Sequence, residues 1–106
     1  MKTYRILFAP EAEDQLAALY RHIAEAASPA IAARYTEAIV AYCETLHTFP
    51  LRGSRRDDVR PGLRITHYRK RAVIAFTVQD DTVGILGVFY GGQDYERLLR
   101  EDDLDA

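Results

Sequence analysis

Two amphipathic segments in the first half of the chain fix most of what it can fold into. The apolar residues of the first segment recur at steps of 3, 1 and 3: Leu16, Leu19, Tyr20, Ile23. Those of the second recur at steps of 4, 4, 3 and 4: Ile31, Tyr35, Ile39, Tyr42, Leu46. Both patterns place the apolar side chains on one face of an α-helix. We therefore predict two helices, each with one buried face.

Proline and serine residues mark where these helices begin and end. Pro10 stands at the first helical position, where its missing N–H is not needed, and this helix runs to about Ala27. Ser28 is placed to cap the second helix, and Pro29 occupies its first turn. Pro50 forbids continuation of the second helix. The connection between the two helices at Ser28 is short, and so short a connection predicts an antiparallel hairpin of two helices.

Apolar runs predict four strands around the helices. They are residues 3–8, 63–68, 72–78 and 83–90. Asp80 and Asp81 form the turn between the last two strands, and residues 52–62 are predicted to be a loop. The run 83–90 is apolar on both faces, so we expect it inside the sheet, covered by helices on at least one side. The order β-α-α-β-β-β predicts an α+β fold, with the helical hairpin packed on a mostly antiparallel sheet.

The length of 106 residues predicts a single domain over residues 1–106. Tyr95, Leu98 and Leu99 predict a short terminal helix or an extended arm, and the acidic tail, about 101–106, is predicted to be disordered. No apolar run approaches the roughly 20 residues of a membrane span, and the N-terminus leads into no signal sequence. We therefore expect a cytoplasmic protein that does not contact a membrane.

The net charge of −2 hides a strongly basic segment. Residues 52–71 carry eight basic side chains: Arg52, Arg55, Arg56, Arg60, Arg64, Arg69, Lys70, Arg71. Only Asp57 and Asp58 oppose them, so the segment carries +6 and the other residues sum to −8. Such a basic face indicates a nucleic acid or an acidic protein as partner. The alternative for the run 55–58 is a solvated loop whose charges cancel internally.

Few residues point to enzymatic chemistry. One cysteine and three scattered histidines lack the spacing of a zinc site, and the Gly91-Gly92-Gln93-Asp94 run lacks that of a nucleotide-binding loop. We expect Cys43 in the core, no metal and no cofactor. A metal-free ribonuclease is the one enzyme class that the basic segment supports, since it needs an acid, a base and cations on a phosphate. The residues of suitable type are Arg64, His67, Tyr68, Arg69, Arg71 and Tyr95.

Several motifs, taken in order, resemble one known family. They are Phe8-Ala9-Pro10-Glu11-Ala12, the Ser28-Pro29 joint, Leu46…Phe49-Pro50…Gly53, the run from Arg56 to Arg64, and the ending from Ile85 to Asp94. Over about residues 3–99 the chain resembles the RelE/ParE superfamily of toxins. The resemblance implies the toxin of a bacterial type II toxin–antitoxin pair. It also implies a small acidic antitoxin whose C-terminal segment wraps around the toxin in a hetero-oligomeric complex.

The superfamily has two activities, and departures from its motifs favour one of them. Members that resemble RelE cut ribosome-bound mRNA with cations at positions that here are Val73 and Gln93. The run Pro61 to Arg64 and the ending at Asp94 resemble ParE instead, whose known members poison DNA gyrase. The resemblance therefore implies a non-catalytic gyrase inhibitor. Two alternatives stay open: an mRNA endonuclease, and an inactive relative that serves only as partner of its antitoxin.

The endonuclease alternative assigns catalysis to three residues: Arg64, His67, Tyr95. Under the hypothesis of a non-catalytic gyrase inhibitor, eight residues are predicted to bind the antitoxin or the target: Arg60, Arg64, Arg69, Arg71, Tyr90, Gln93, Asp94, Tyr95. We expect Arg64, Arg69 and Arg71 to face outward at a strand edge beside the helical hairpin. There an acidic amphipathic segment would dock by its apolar side and its carboxylates. The alternative is that these arginines only solvate an edge strand. We expect no sequence-specific DNA binding by this chain.

Overall fold

The computed structural model describes residues 3–105, with side chains for residues 3–100, and confirms the α+β fold. Its elements in chain order are β1 Arg5–Phe8, α1 Pro10–Ala26, α2 Pro29–Glu44, a 3₁₀ turn Thr45–His47, β2 Ser54–Arg55, β3 Leu63–Tyr68, β4 Ala72–Gln79, β5 Thr82–Tyr90 and α3 Tyr95–Asp105. The predicted disorder of the tail stays a prediction, because the side chains of residues 101–106 lie outside the described part.

Both helix starts follow the predicted chemistry. Pro10 and Pro29 occupy the first turns of α1 and α2, which pack against each other. The Ser28 hydroxyl accepts a hydrogen bond from the Ile31 N–H at 3.1 Å, as expected for an N-cap. The helical hairpin is therefore confirmed.

The sheet has the strand order β1-β5-β4-β3-β2. β1 pairs with β5 in parallel, and the other pairs are antiparallel. β5 lies inside the sheet, as its apolar sequence predicted. The prediction was wrong in two details. The first strand begins at Arg5 rather than residue 3, and the loop 52–62 contains the short strand β2, which pairs Ser54 with Ile65 and Arg55 with Arg64.

The two faces of the sheet carry separate hydrophobic clusters. The face under α1 and α2 buries Leu19, Ile39, Leu46, Ile74, Phe76, Ile85 and Val88, among others. The opposite face buries Val59, Leu63, Ile65, Ala75, Phe89 and Leu99. Leu99 belongs to α3 and Val59 to the loop before β3, so these two segments cover the second face. The terminal segment is thus a packed helix, one of the two predicted options.

A β-bulge changes which side chains of β5 point to each of the two covered faces. Ala75 pairs with Gly87 and Phe76 with Ile85, which leaves Leu86 as an extra residue in β5. One extra residue reverses the alternation of side chains beyond it. The Val88 N–H at the bulge donates to Gln15 Oε1 of α1 at 2.7 Å, and this bond ties the first helix to the sheet.

The described residues include no helix long and apolar enough to span a membrane. They also include no group of three or more His, Cys, Asp or Glu side chains placed to hold a metal ion.

Candidate functional site

Two depressions meet at the turn between β3 and β4. The first, called the sheet cavity, has a volume of about 270 Å³ and is lined by His67, Lys70, Arg71, Ala72, Val73, Phe89, Tyr90, Gly92, Gln93 and Tyr95. The second, called the hairpin groove, has a volume of about 500 Å³ and is lined by Leu19, Ile23, Ile31, Tyr35, Lys70, Arg71, Tyr90, Gly91 and Gly92. Lys70, Arg71, Tyr90 and Gly92 border both depressions, which are therefore neighbours.

The turn between β3 and β4, Arg69-Lys70-Arg71, is here called the cationic turn. The Arg71 N–H donates to the Tyr68 carbonyl at 3.0 Å and closes it. The two residues between Tyr68 and Arg71 have positive φ, 52° at Arg69 and 60° at Lys70. A left-handed conformation costs a residue with a side chain about 1–2 kcal/mol, so such turns usually carry Asn-Gly. The cationic turn therefore holds two residues with side chains in a left-handed conformation.

The charges of the cationic turn are open to a partner. The Arg69 guanidinium lies over the Tyr68 ring, 5.5 Å from its centroid. Within residues 3–100, the side chains of Lys70 and Arg71 take part in no ion pair or hydrogen bond, and both residues are exposed. Among the residues whose side chains the structure describes, Lys70 and Arg71 therefore have no counter-ion.

The structure separates Arg64 from Arg69 and Arg71, which differs from the predicted single edge of three arginines. Arg64 lies in β3, and β2 pairs with the outer side of that strand. Its guanidinium donates to the backbone carbonyls of Leu51, Arg52 and Gly53. These hydrogen bonds hold the loop before β2 against the sheet. The guanidinium of Arg64 is therefore engaged by backbone carbonyls of the protein itself.

Arg56 holds α3 to the loop that precedes β3. Its guanidinium donates to the Tyr95 hydroxyl at 2.9 Å and to Glu96 Oε1 at 3.2 Å. It also pairs with Asp58 at 2.9 Å, and this hydrogen bond lowers the pKa of Asp58 to about 2. Hydrogen bonds to Asp58 and then Glu96 raise the pKa of Arg56. The Arg60 guanidinium reinforces the contact by donating to the Leu99 carbonyl at 3.2 Å.

The run 55–58 largely cancels its own charge, as one of the two interpretations of the basic segment predicted. Arg55 pairs with Asp57 at 3.0 Å, beside the pair of Arg56 and Asp58. The Gly62 N–H, which donates to Asp57 at 2.9 Å, is the main reason that the pKa of Asp57 is lowered. Arg55 and Arg56 therefore contribute less positive charge to a partner than Lys70 and Arg71, which have no ion pair among the described side chains.

Gln93 and Asp94 shape the connection from β5 to α3. Gln93 Oε1 accepts a hydrogen bond from the Tyr90 N–H at 2.9 Å and closes the turn at Gly91 and Gly92. Asp94 Oδ1 accepts one from the Arg97 N–H at 3.1 Å, the geometry of an N-cap. Both side chains thus support the wall of the sheet cavity.

Five residues named from the sequence come together at the sheet cavity: His67, Arg71, Tyr90, Gln93, Tyr95. Arg60, Arg64, Arg69 and Asp94 do not line it. Of the three residues in the endonuclease alternative, His67 and Tyr95 share the cavity and Arg64 lies apart, bound to loop carbonyls.

Lys70 and the apolar wall of the hairpin groove were not predicted as site residues. A signal for Lys70 was present, because Arg69-Lys70 occupies a tight turn without Gly or Asn. No such signal distinguishes Ile23, Ile31 or Tyr35, since groove and core residues follow one helical stripe.

Two other features contribute nothing to this site. Cys43 is fully buried, as predicted, and burial raises the pKa of its thiol to about 12, so the reactive thiolate is scarce at neutral pH. A depression of about 680 Å³ is lined by Tyr4 and residues 48–52, away from the cationic turn. It contains none of the residues predicted to bind a partner.

Comparisons with known proteins agree with this architecture. A family model described as "ParE toxin of type II toxin-antitoxin system, parDE" matches residues 6–95. The chain resembles a structure of the chromosomal ParDE system from P. aeruginosa, with TM-score 0.73, 21% identity, and coverage of 83% of this chain and 96% of that one. It also resembles the RelBE2 toxin–antitoxin complex from Mycobacterium tuberculosis, with TM-score 0.63, 23% identity, and coverage of 88% and 97%. At these identities the likeness concerns the fold. No significant match is found among curated proteins.

Proposed function

Because the chain belongs to the family of ParE toxins of type II toxin–antitoxin systems, we propose that it stops growth by binding DNA gyrase without catalysing a reaction. A cognate acidic antitoxin neutralises it by docking in the hairpin groove. The same proposal places the protein in the cytoplasm, where gyrase acts.

The position of Arg64 is the observation that carries the non-catalytic mechanism. Cleavage of RNA needs a base, an acid and a cation around one phosphate. The Arg64 guanidinium is bound to three loop carbonyls, and the Tyr95 hydroxyl accepts from Arg56. His67 is exposed, and no hydrogen bond to another described residue orients its ring. Arg64 and Tyr95 are therefore engaged by other parts of the fold, and this arrangement supports a mechanism without catalysis by these three side chains.

The hairpin groove supports docking of an acidic amphipathic segment. Leu19, Ile23 and Ile31 supply an apolar wall, and Ile31 is 45% exposed. Lys70 and Arg71 stand at the rim of the same groove. An amphipathic partner would bury its apolar side chains on the wall and pair its carboxylates with the two cations. Charge pairs at the rim mainly speed association, whereas the apolar anchors set the residence time.

Expression of the chain without its antitoxin tests the proposed function. We expect growth to stop, cells to filament and the DNA-damage response to rise, because a poisoned gyrase leaves DNA damaged and poorly supercoiled. Co-expression of the acidic protein encoded immediately upstream should restore growth. Rapid loss of translation with cleaved mRNA and normal supercoiling would support the endonuclease instead. Normal growth would indicate an inactive relative, and both results contradict the proposal.

A further inference from the structure

A further depression lies between α1 and α2 and is here called the helical groove. It has a volume of about 510 Å³. Its lining consists of Leu16, Ala17, Tyr20, Thr36, Glu37, Val40 and Glu44. None of these residues lines the hairpin groove or the sheet cavity, and none was predicted from the sequence to bind a partner. The proposed function therefore assigns no partner to the helical groove.

The floor of the helical groove is apolar. Leu16 and Ala17 contribute to it from α1, and Val40 contributes from α2. Tyr20 stands in the same groove with 37% of its surface exposed, and tyrosine is among the residues that most often anchor protein interfaces. Apolar surface collected in an open groove is typical of contact with another protein.

The charged residues of the helical groove are both carboxylates. They are Glu37 and Glu44, and no cation lines the groove. Within residues 3–100, neither carboxylate takes part in an ion pair. The Thr36 hydroxyl donates to the Ala32 carbonyl at 3.0 Å, so it is satisfied inside α2. The charged groups left for a partner are therefore acceptors, and they favour a partner that brings cations.

The sign of this charge determines the class of partner. Residues 10–44 carry six carboxylates against Arg21 and Arg34, a net charge of −4. Such a surface repels the phosphates of nucleic acids and of anionic lipids. A polypeptide with lysine or arginine beside apolar side chains matches both the rim and the floor of the groove. An acidic segment, such as the one that docks on the cations of the hairpin groove, is disfavoured here by the same repulsion.

The spacing of the two carboxylates indicates the shape of that polypeptide. Glu37 and Glu44 lie seven residues apart on α2, which corresponds to two helical turns and about 10 Å. A partner helix along the groove would place its residues i and i+7 at these carboxylates and its apolar residues i+3 and i+4 on the floor. We propose that the helical groove binds a basic amphipathic helix of a second protein, with Lys or Arg at positions i and i+7. This inference does not rest on the proposed target or on the docking of the antitoxin.

Titration of the full chain with three synthetic peptides, followed by calorimetry and amide NMR shifts, tests this site. The first peptide is an alanine-based helix of about 18 residues, with leucines along one face and lysines at i and i+7 beside them. The second has glutamates in place of the lysines, and the third has the leucines scattered around the helix. We expect the first to bind at least about tenfold more tightly than either of the others, and more weakly as the salt concentration rises. The shifted amides should include those of Ala17, Tyr20, Glu37 and Val40.

Three variants separate the helical groove from the rest of the surface. Ala17→Lys places a bulky cation in the groove at an exposed helical position, and we expect it to weaken binding of the first peptide at least about tenfold. The double variant Glu37→Gln, Glu44→Gln removes both charges but keeps the shape, and we expect a loss of at least about threefold. Glu25→Gln removes an exposed carboxylate of α1 outside the groove, and binding should be unchanged. Circular dichroism establishes that all three variants are folded.

Four results would overturn the proposal. Equal binding of the lysine and glutamate peptides would contradict the role of the carboxylates, and unchanged binding in Ala17→Lys would contradict the location. Amide shifts confined to Ile31, Lys70 and Arg71 would place the peptide in the hairpin groove instead. Self-association of the free chain in analytical ultracentrifugation, abolished by Ala17→Lys, would identify a second copy of the chain as the occupant.

Discussion

Replacing Gly53 with alanine is expected to lower the free energy of unfolding by about 3 kcal/mol or more. Gly53 has a φ of 80°, and a Cβ there would lie 2.2 Å from the carbonyl oxygen of Ile65. That oxygen belongs to the backbone of β3 and cannot move aside without disturbing the sheet. The variant should lose the pairing of β2 with β3 and the bonds from Arg64 to the loop carbonyls. Urea denaturation followed by circular dichroism measures the loss.

Gly91→Ala is the matched control for this prediction. Gly91 also has a positive φ, 64°, but a Cβ there meets nothing within 4 Å. The control should lose only the cost of the left-handed conformation, about 1–2 kcal/mol. An equal loss in the two variants would contradict the close approach of Gly53 to β3, and with it the internal role assigned to Arg64.

Replacing Ile31 with glutamate is expected to weaken antitoxin binding at least about 30-fold, the effect of removing an interface residue worth about 2 kcal/mol. The new carboxylate would face the acidic partner and remove an apolar anchor from the hairpin groove. Because Ile31 is 45% exposed, the charge stays solvated in the free toxin and the fold should persist. Surface plasmon resonance should show faster dissociation, since anchors act mainly on the dissociation rate.

Leu51→Glu provides the control for the groove. Leu51 is 69% exposed and lies in the depression by residues 48–52, outside the hairpin groove. The affinity of the Leu51→Glu variant for the antitoxin should remain within about twofold of that of the unmodified chain. Association of the unmodified chain with the antitoxin should slow as the salt concentration rises, because salt screens the charges at the rim of the groove. Unchanged affinity in Ile31→Glu would contradict docking in the hairpin groove.

The elements whose signals are local were predictable from the sequence. Pro10, Ser28 and Pro29 determine the helix starts through their own backbone and hydroxyl chemistry, and β3 has the predicted bounds 63–68. The two-residue strand β2 was missed because its pairing depends on the tight approach of Gly53 to Ile65. The bulge at Leu86 was missed because only the register with β4 reveals it.

The candidate site was predictable only in part. Sequence reasoning found the basic segment and five residues that line the sheet cavity, since charge and residue type can be read directly. It did not distinguish cations engaged inside the fold from those open to a partner. Arg64 and Arg71 look alike in sequence, yet the first is bound to loop carbonyls and the second stands in a strained turn without an ion-pair partner in the described chain. That difference depends on tertiary contacts.

A supercoiling assay with purified gyrase tests the central claim most directly. Relaxed plasmid, ATP and gyrase are incubated with the full chain, and a parallel reaction contains ribosomes programmed with mRNA. The account predicts that the chain inhibits supercoiling, that added antitoxin reverses the inhibition, and that the mRNA stays intact. Normal supercoiling together with cleaved mRNA would contradict it.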